Sequence, residues 1–364
     1  MPFPSSLLHR PVQTLILSFI AWKILLLVTA AGSPGIAYDT STSLAQRSAD
    51  SPSRPPIVLV LNYISQQLTR WDAIYFTTIA RRGYLYEQEW AFGWGFTQLI
   101  RFCTNVVKGI DHGHFVFLES LIGIAIAHAS HGLSVLVLYG FTRRIFPDGE
   151  ATRKLAFVTA LLHIISPAGL FLSAPYGEST FALLSFVGYL VFSYGFLREY
   201  RPQRSKMSLL SYLDYCWERQ PQQVGFLGYW TLSNVPLFAL AAPMLGLMMI
   251  SALSMFRTNS SLATLMAYSA HVDKESPLNQ KAEGGASLLR SLAVPQLTLA
   301  VLALFCYHVQ IITRISSGYP VWYIWLASNL LESGKLRKDS KEGPAWSSIQ
   351  CTRIVKYMVV YGIV

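Results

Sequence analysis

The stretch Arg70-Trp-Asp-Ala-Ile-Tyr-Phe-Thr-Thr-Ile-Ala-Arg-Arg-Gly-Tyr84 decides how the rest of the chain is interpreted. Its spacing predicts a helix at about 100° per residue, in which Asp72 shares a face with Tyr75, Phe76 and Ile79. The opposite face would carry Arg70, Thr77 and Arg81. A buried carboxylate heading an apolar face indicates a functional site. The alternative is that Asp72 merely complements the positive end of the helix dipole.

The bulk composition places the chain among membrane proteins. Of its 364 residues, 52% are hydrophobic and only 13% are charged, about half the charged fraction of a soluble domain. The net charge of +10 is typical of cytoplasmic loops that face lipid head groups. A nucleic-acid partner is not expected, since no soluble module with a basic face is visible. The four scattered cysteines form no CxxC pair or zinc spacing.

Long apolar runs predict several membrane spans. A bilayer requires roughly 20 apolar residues per helix. The predicted spans are Val12–Ala31, Phe115–Gly140, Leu155–Ala174, Thr180–Leu197, Leu232–Met255 and Leu288–Thr313. Ser166–Gly169 should interrupt the third span, and Pro236 and Pro243 should break the fifth. Lys23 is costly inside the first span unless its side chain snorkels or faces the bundle.

The connecting segments set the expected topology. The basic segments 142–154 and 198–229 are expected in the cytoplasm, which places the segment 32–114 in the lumen. Within it, an amphipathic helix is followed by the aromatic stretch Trp90–Arg101, broken by Gly93 and Gly95, and this pattern favours structure along the membrane interface. The sequon at Asn259 would then face the lumen.

The whole chain, residues 1–364, is predicted to form a single polytopic membrane domain. The apolar run Val321–Leu331 is too short to cross alone, and residues 332–348 should form a charged loop. The final apolar run, Arg353–Val364, is shorter than the roughly 20 residues of a span. The C-terminal spans are therefore expected to be incomplete.

Several chemistries lack their sequence motifs. The eight aspartates form no Asp-x-Asp pair, and neither a P-loop nor a dinucleotide-binding glycine pattern occurs. Asp111, His112 and His114 could bind a metal, but histidine pairs in loops are usually solvated, so no metal site and no cofactor are predicted. An isolated carboxylate near a membrane interface suits glycosyl transfer from a lipid-linked donor. The carboxylate would take the proton of the attacking hydroxyl, and Arg314 or a tyrosine would steady the phosphate charge.

Five motifs, in order along nearly the whole chain, resemble the GPI mannosyltransferase 2 family. They are Arg70-Trp-Asp-Ala73; Gly83-Tyr84 with Glu89-Trp-Ala-Phe92; Ser166-Pro-Ala-Gly169 with Ser173-Ala-Pro-Tyr-Gly-Glu-Ser179; Tyr229-Trp-Thr-Leu-Ser-Asn234; and the segment from His308 to Tyr323. The fungal members are the most similar. Each motif alone is weak, and the five in sequence are specific.

The resemblance implies an all-α, polytopic helical bundle of the GT-C glycosyltransferase type, with amphipathic helices in the first lumenal loop. It implies a multi-pass enzyme of the endoplasmic reticulum membrane that transfers the second, α-1,6-linked mannose. The donor would be dolichyl-phosphate mannose and the acceptor the GPI anchor precursor, and similar enzymes can require a small membrane partner subunit. Asp72 is the expected catalytic residue. The predicted substrate-binding residues are Trp71, Glu89, Trp90, Tyr176, Glu178, Arg314, Ser316, Ser317 and Tyr319.

Structural interpretations of the same residues remain open. Glu178 could cap the following helix, Glu87 and Glu89 could be solvated loop charges, and Arg314 could mark a helix end. Ser316-Ser317-Gly318 could be only a turn, and the histidines 128 and 131 could serve packing. Counting spans also places Arg314 to Pro320 in the cytoplasm, in conflict with a lumenal site.

The alternative function is a non-catalytic transporter or scaffold, in which Glu119, His128 and His131 line a path.

Overall fold

The computed structural model describes residues 9–33, 55–108, 118–199, 230–231, 234–256, 277–309, 311–339 and 353–360. Across these ranges the chain is helical and contains no strand, which confirms the all-α prediction. The helices are α1 Pro11–Gly32, α2 Pro56–Leu68, α3 Asp72–Arg82, α4 Trp94–Lys108, α5 Leu118–Ile145, α6 Glu150–Ile164, α7 Glu178–Glu199, α8 Val235–Phe256, α9 Pro277–Phe305, α10 Ile311–Ile315 and α11 Pro320–Asp339. Short 3₁₀ helices lie at Glu87–Ala91 and Ser316–Gly318, and residues 353–360 are also helical.

Two compact units divide the chain. The first comprises Phe3–Leu138, Ala160–Val187 and Val355–Val364, and the second is formed chiefly by Tyr139–Thr159 and Gly188–Ile354. Asp72 belongs to the first unit, whereas Arg314 to Tyr319 belong to the second. The single membrane domain stays a prediction.

Five helices in the described part of the chain are long and apolar enough to cross a membrane. They are Pro11–Gly32, Leu118–Ile145, Glu178–Arg198, Val235–Phe256 and Lys281–Phe305. Helices are suited to lipid because most of their backbone hydrogen bonds are made within the segment. The prediction of a multi-pass membrane protein is confirmed.

The predicted span Leu155–Ala174 is wrong in its bounds and is not among these five. Its helix, α6, has 15 residues and ends at Ile164, so it is about 22 Å long against a hydrocarbon core of about 30 Å. Pro167 disfavours helical backbone at Ser166, and the chain continues in turns to Gly177. Counting spans therefore no longer fixes the side on which later segments lie.

The predicted break at Pro243 is wrong, because helix α8 runs continuously through it, whereas Pro236 lies in the first turn of that helix. Helix α9 contains Pro295 and ends at Phe305, before the expected end at Thr313. Neighbouring helices can satisfy the backbone groups that a proline frees in a membrane helix. Helix α11 extends to Asp339, into the segment predicted as a charged loop. Asn259, Asp111 and His114 lie outside the described residues.

The segment between the first two spans is helical rather than irregular where it is described. Gly83, at φ 89°, ends α3 in a backbone conformation that a side chain would strain. Gly93 precedes α4, but Gly95 lies inside it, so the predicted break at Gly95 is wrong. In helix α4, Phe96 and Ile100 are buried and Phe102 is exposed, and the amphipathic character of the helices in this segment stays a prediction.

One close approach fixes the turn segment 165–177 against α5. A Cβ atom built on Gly123 would lie 2.6 Å from Cβ of Pro175 and 3.3 Å from Cδ1 of Ile100. No side chain fits at 2.6 Å, so only glycine allows the turn segment to pack at this depth. The proline ring cannot move away without shifting Tyr176, its neighbour.

We expect Gly123→Ala to destabilise the protein by about 1–3 kcal/mol, as overpacked sites do. The matched control is Gly140→Ala on the same helix, where an added Cβ meets nothing within 4 Å and the change should stay within about 0.5 kcal/mol. Thermal unfolding of the detergent-purified protein measures both. Equal midpoints for the two variants would contradict the close approach.

Candidate functional site

A strained turn at Trp71 precedes Asp72, the predicted catalytic residue. Trp71 has φ 52° and ψ −124°, and it is the one non-glycine residue with positive φ in the described chain. Such backbone costs on the order of 1–3 kcal/mol and is found mainly where the surroundings enforce it. Helix α3 begins directly after it, so Asp72 is the first helical residue, where a carboxylate complements the helix dipole.

The buried face of α3 differs from the predicted one. Ala73, Phe76, Thr77 and Ala80 are buried, at positions i, i+3, i+4 and i+7. Thr77 belongs to this face because its hydroxyl donates to the carbonyl oxygen of Ala73 at 3.0 Å. Ile79 is buried as well, so the predicted apolar face is confirmed at Phe76 and Ile79 and wrong at Asp72 and Tyr75. Tyr75 is 37% exposed, and Asp72 is half-buried rather than buried.

Tyr176, which is predicted to bind substrate, forms a hydrogen bond to the turn at Trp71. The Tyr176 hydroxyl donates to the backbone carbonyl of Arg70 at 2.9 Å, one residue before Trp71. Its ring is buried and meets the rings of Phe76 and Phe171 edge to face at 6.2 and 5.3 Å. The bond joins two parts of the chain that are 106 residues apart.

Lys23 in turn anchors the segment that carries Tyr176. Its ammonium group, 4% exposed, donates to the carbonyl oxygen of Leu172 at 3.0 Å and to Oγ of Ser173 at 2.7 Å. The Ser173 hydroxyl also donates to the Gly169 carbonyl at 3.0 Å. The expectation that Lys23 faces the bundle is confirmed. A lysine inside an apolar span predicts that its charge needs hydrogen-bond acceptors. The sequence does not indicate which residues provide them.

Glu89 lies in a fully bonded position. Its side chain is only 2% exposed and pairs with the guanidinium of Arg82, while Oε2 accepts from the backbone N–H groups of Leu85 at 2.8 Å and Tyr86 at 3.3 Å. The solvated-charge interpretation is therefore wrong for Glu89 and confirmed for Glu87, which is exposed. The Arg82 hydrogen bond and these backbone bonds lower the pKa of Glu89 below 4.5.

The aromatic residues around Glu89 form a partly exposed surface. The Trp90 indole is 68% exposed and stacks on the Tyr84 ring at 4.5 Å. The Tyr84 hydroxyl donates to the Phe92 carbonyl at 2.8 Å. Trp71 is 59% exposed. Indole faces of this kind are available to stack on a sugar ring.

The remaining predicted site residues fall into two groups. Glu178 is the first residue of α7, so it occupies a first-turn position in which a carboxylate can cap the helix. It is 9% exposed. In the second unit, the buried Ser316 and Ser317 hydroxyls donate to the carbonyls of Thr313 at 3.1 Å and Arg314 at 2.9 Å. Trp322 Nε1 donates to the Ser316 carbonyl at 2.9 Å. These bonds stabilise the 3₁₀ turn that carries Tyr319.

The intramembrane polar residues are bonded within the first unit. His131 Nε2 lies 3.3 Å from the His163 carbonyl, and Ser134 Oγ lies 2.7 Å from His163 Nε2. Glu119 pairs with Lys108 at 2.8 Å. The packing interpretation of His131 is confirmed. No group of three potential metal-binding side chains occurs in the described ranges, and the expected lack of a metal stays a prediction.

The stabilising contribution of Glu89 should depend on pH. Because its folded pKa is lowered, the contribution is complete above about pH 4.5 and is lost as the pH falls through the folded pKa. Glu89→Gln should lower the unfolding temperature at about pH 7, and its difference from wild type should shrink toward about pH 3. The exposed Glu87→Gln serves as control. A pH-independent difference for Glu89→Gln would contradict this origin.

Tyr176→Phe should impair the site without unfolding it. Loss of one hydrogen bond to the Arg70 carbonyl corresponds to about 0.5–1.5 kcal/mol, or roughly a two- to tenfold fall in kcat. Tyr63→Phe is the matched control, since its hydroxyl also donates to a backbone carbonyl, that of Ala31 at 2.7 Å. If both variants lose kcat equally, the Tyr176 bond does not position the site.

Comparison with known proteins assigns a family to this arrangement. The chain matches the family described as Mannosyltransferase (PIG-V) over residues 12–200 and 201–363. It is 34% identical to GPI mannosyltransferase 2 of Chaetomium globosum, over 97% of this chain and 93% of that protein. It is 35% identical to the protein of that name in Gibberella zeae, over 89% and 90% of the two chains. For Aspergillus oryzae the identity is 31%, over 98% and 94%. No solved structure matches significantly.

The alignments also bear on the length of the chain. The Chaetomium globosum alignment is 475 residues long, whereas this chain has 364 residues. The aligned region of that relative therefore contains segments that have no counterpart in this chain.

Proposed function

Because this chain belongs to the mannosyltransferase (PIG-V) family, we propose that it adds the second mannose, in α-1,6 linkage, to the GPI anchor precursor. The chain is a glycosyltransferase and a multi-pass membrane protein. The proposed donor is dolichyl-phosphate mannose and the proposed location is the membrane of the endoplasmic reticulum. The names and the coverage of the fungal relatives support this specific reaction.

The observation that carries the proposal is the Trp71–Asp72 turn. A half-buried carboxylate heads α3, directly after a strained residue whose indole is 59% exposed. The carboxylate can thus meet a hydroxyl from outside the chain, and the indole offers a flat face beside it. Strained backbone of this kind is typical of functional sites.

The proposed reaction needs one proton acceptor. The oxygen of the acceptor hydroxyl attacks the anomeric carbon of the donor mannose and forms the new glycosidic bond. The bond from that carbon to the phosphate oxygen breaks, and its electron pair leaves with dolichyl phosphate. Asp72 takes the hydroxyl proton, as a general base within hydrogen-bond reach does.

The other predicted residues have supporting roles in this proposal. Trp71 and Trp90 stack on sugar rings, since both indoles are exposed. Glu89 holds the segment that carries Trp90, through its pair with Arg82. Tyr176 fixes the Arg70 carbonyl, and Glu178 heads the helix that follows. Arg314, Ser316, Ser317 and Tyr319 are proposed to bind substrate from the second unit.

A small membrane partner subunit is part of the proposal, because similar enzymes can require one. The transporter alternative has no comparable support. Glu119 is paired with Lys108 and His131 is packed against His163, so neither is arranged along an open path.

Asp72→Asn should abolish transfer while leaving the protein folded. Loss of a general base costs about 10²- to 10⁴-fold in rate, and the amide keeps the size of the side chain. The assay measures mannosyl transfer from dolichyl-phosphate mannose in microsomes that lack the endogenous enzyme. Asp148→Asn, at a side chain 75% exposed, should retain wild-type activity.

Transfer by Asp72→Asn at the wild-type rate would overturn the role of Asp72. Transfer of a different sugar, or to a different acceptor, by the wild-type protein would overturn the substrate assignment.

A further inference from the structure

A cavity of about 370 Å³ opens beside the Trp71 turn, within the first unit. Its lining includes the polar side chains of Arg70 and Gln67 and the indole of Trp71. It also includes the apolar side chains of Leu68, Phe171 and Ala174. The reaction proposed above uses two residues of its lining, Trp71 and Tyr176, and gives no role to the guanidinium of Arg70.

Arg70 is the one charged residue among the described residues that line the cavity. Its guanidinium donates to the side-chain carbonyl oxygen of Gln67, another lining residue. This bond holds the cation at the wall of the cavity and uses one of the five N–H donors that an arginine carries. A guanidinium fixed in this way suits a phosphate, which accepts two parallel hydrogen bonds.

We infer that this cavity binds a lipid phosphodiester, with its phosphate on Arg70 and the first part of its chain against Leu68, Phe171 and Ala174. The inference rests on the proposed function, in which both substrates carry such a group. The donor joins mannose to one polyprenyl chain, whereas the acceptor carries a phosphatidylinositol with two acyl chains. A cavity near the lower end of the roughly 300–1,000 Å³ range of ligand sites fits one chain, so we assign it to the donor.

The position of Arg70 also gives it a role in the departure of the phosphate. When the bond between the anomeric carbon and the phosphate oxygen breaks, the phosphate gains one negative charge. A cation already hydrogen-bonded to that phosphate is attracted more strongly after the bond breaks than before. Arg70 therefore lowers the barrier as well as holding the donor.

The test is steady-state kinetics of the full-length enzyme in microsomes, with dolichyl-phosphate mannose and the acceptor varied separately. Arg70→Ala should reduce kcat/KM for the donor at least tenfold and leave the acceptor KM within twofold. Arg70→Lys should recover part of the loss, since it restores charge but not the bidentate geometry. Arg81→Ala, an exposed arginine of the neighbouring helix, is the matched control and should stay within twofold of wild type.

A second variant keeps the charge and fills the cavity. Ala30→Phe, at a half-buried residue of α1 that also lines the cavity, should raise the donor KM at least fivefold while lowering the unfolding temperature less than Gly123→Ala does. A rise confined to the acceptor KM in both variants would overturn the donor assignment. Kinetics of Arg70→Ala equal to those of Arg81→Ala would overturn the site.

A binding measurement distinguishes failure of the proposed function from failure of the Arg70 site. A photoactivatable short-chain polyprenyl phosphate should label the detergent-purified protein near Phe171, and dolichyl-phosphate mannose should compete. The labelling should fall at least fivefold in Arg70→Ala and persist in Arg81→Ala. Wild-type protein that labels in this way but transfers no mannose would overturn the proposed function alone, and labelling unaffected by Arg70→Ala would overturn the site.

Discussion

The arrangement of the site depends on the buried ammonium group of Lys23. A charge inside a helical bundle is costly unless it is hydrogen-bonded, and Lys23 satisfies this requirement with the Leu172 carbonyl and the Ser173 hydroxyl. The first span is thereby tied to a segment 150 residues later in the chain. That segment has few helical bonds of its own, so its position relies on such side-chain contacts. Moving it would leave the ammonium group without acceptors.

The contact of Lys23 with residues 172 and 173 also affects the position of Asp72, because the two are connected through Tyr176 and the backbone of Arg70. The anchored segment carries Tyr176, and the Tyr176 hydroxyl holds the Arg70 carbonyl. With that carbonyl fixed and α3 packed through Phe76 against Phe92 and Phe96, the residue between them has little freedom. Trp71 connects these two fixed parts of the chain and adopts a positive φ. The strain is offset by the aromatic packing and hydrogen bonds on either side, each of which contributes about 0.5–1.5 kcal/mol.

The sequence predicts the features that depend on local pattern. Apolar runs of sufficient length identify α1, α5 and α7, and the Trp-Asp pair indicates the site. Features that depend on distant contacts are not predictable in this way. The buried face of α3 is set by Phe92, Phe96 and Tyr176, and the partners of Lys23 lie far along the chain. The predicted interruption at Ser166–Gly169 is local and is confirmed by the end of α6 at Ile164. The pair of Arg82 and Glu89 joins the end of α3 to a separate 3₁₀ helix, so helical periodicity does not predict it.

In the proposed reaction, the break at Trp71 lets Arg70 and Asp72 act on different groups. In an uninterrupted helix Arg70 and Asp72 would lie on nearly opposite faces, about 200° apart, and the Arg70 carbonyl would be directed along the helix axis. Because α3 instead starts at Asp72, the Arg70 carbonyl accepts the Tyr176 hydroxyl and its guanidinium bonds Gln67 at the cavity wall. The acid heads a helix that complements negative charge, while the cation stays with the preceding segment. The strained turn thus puts Asp72 on α3 and Arg70 on the preceding segment. In the proposed reaction, Asp72 accepts a proton and Arg70 binds a phosphate.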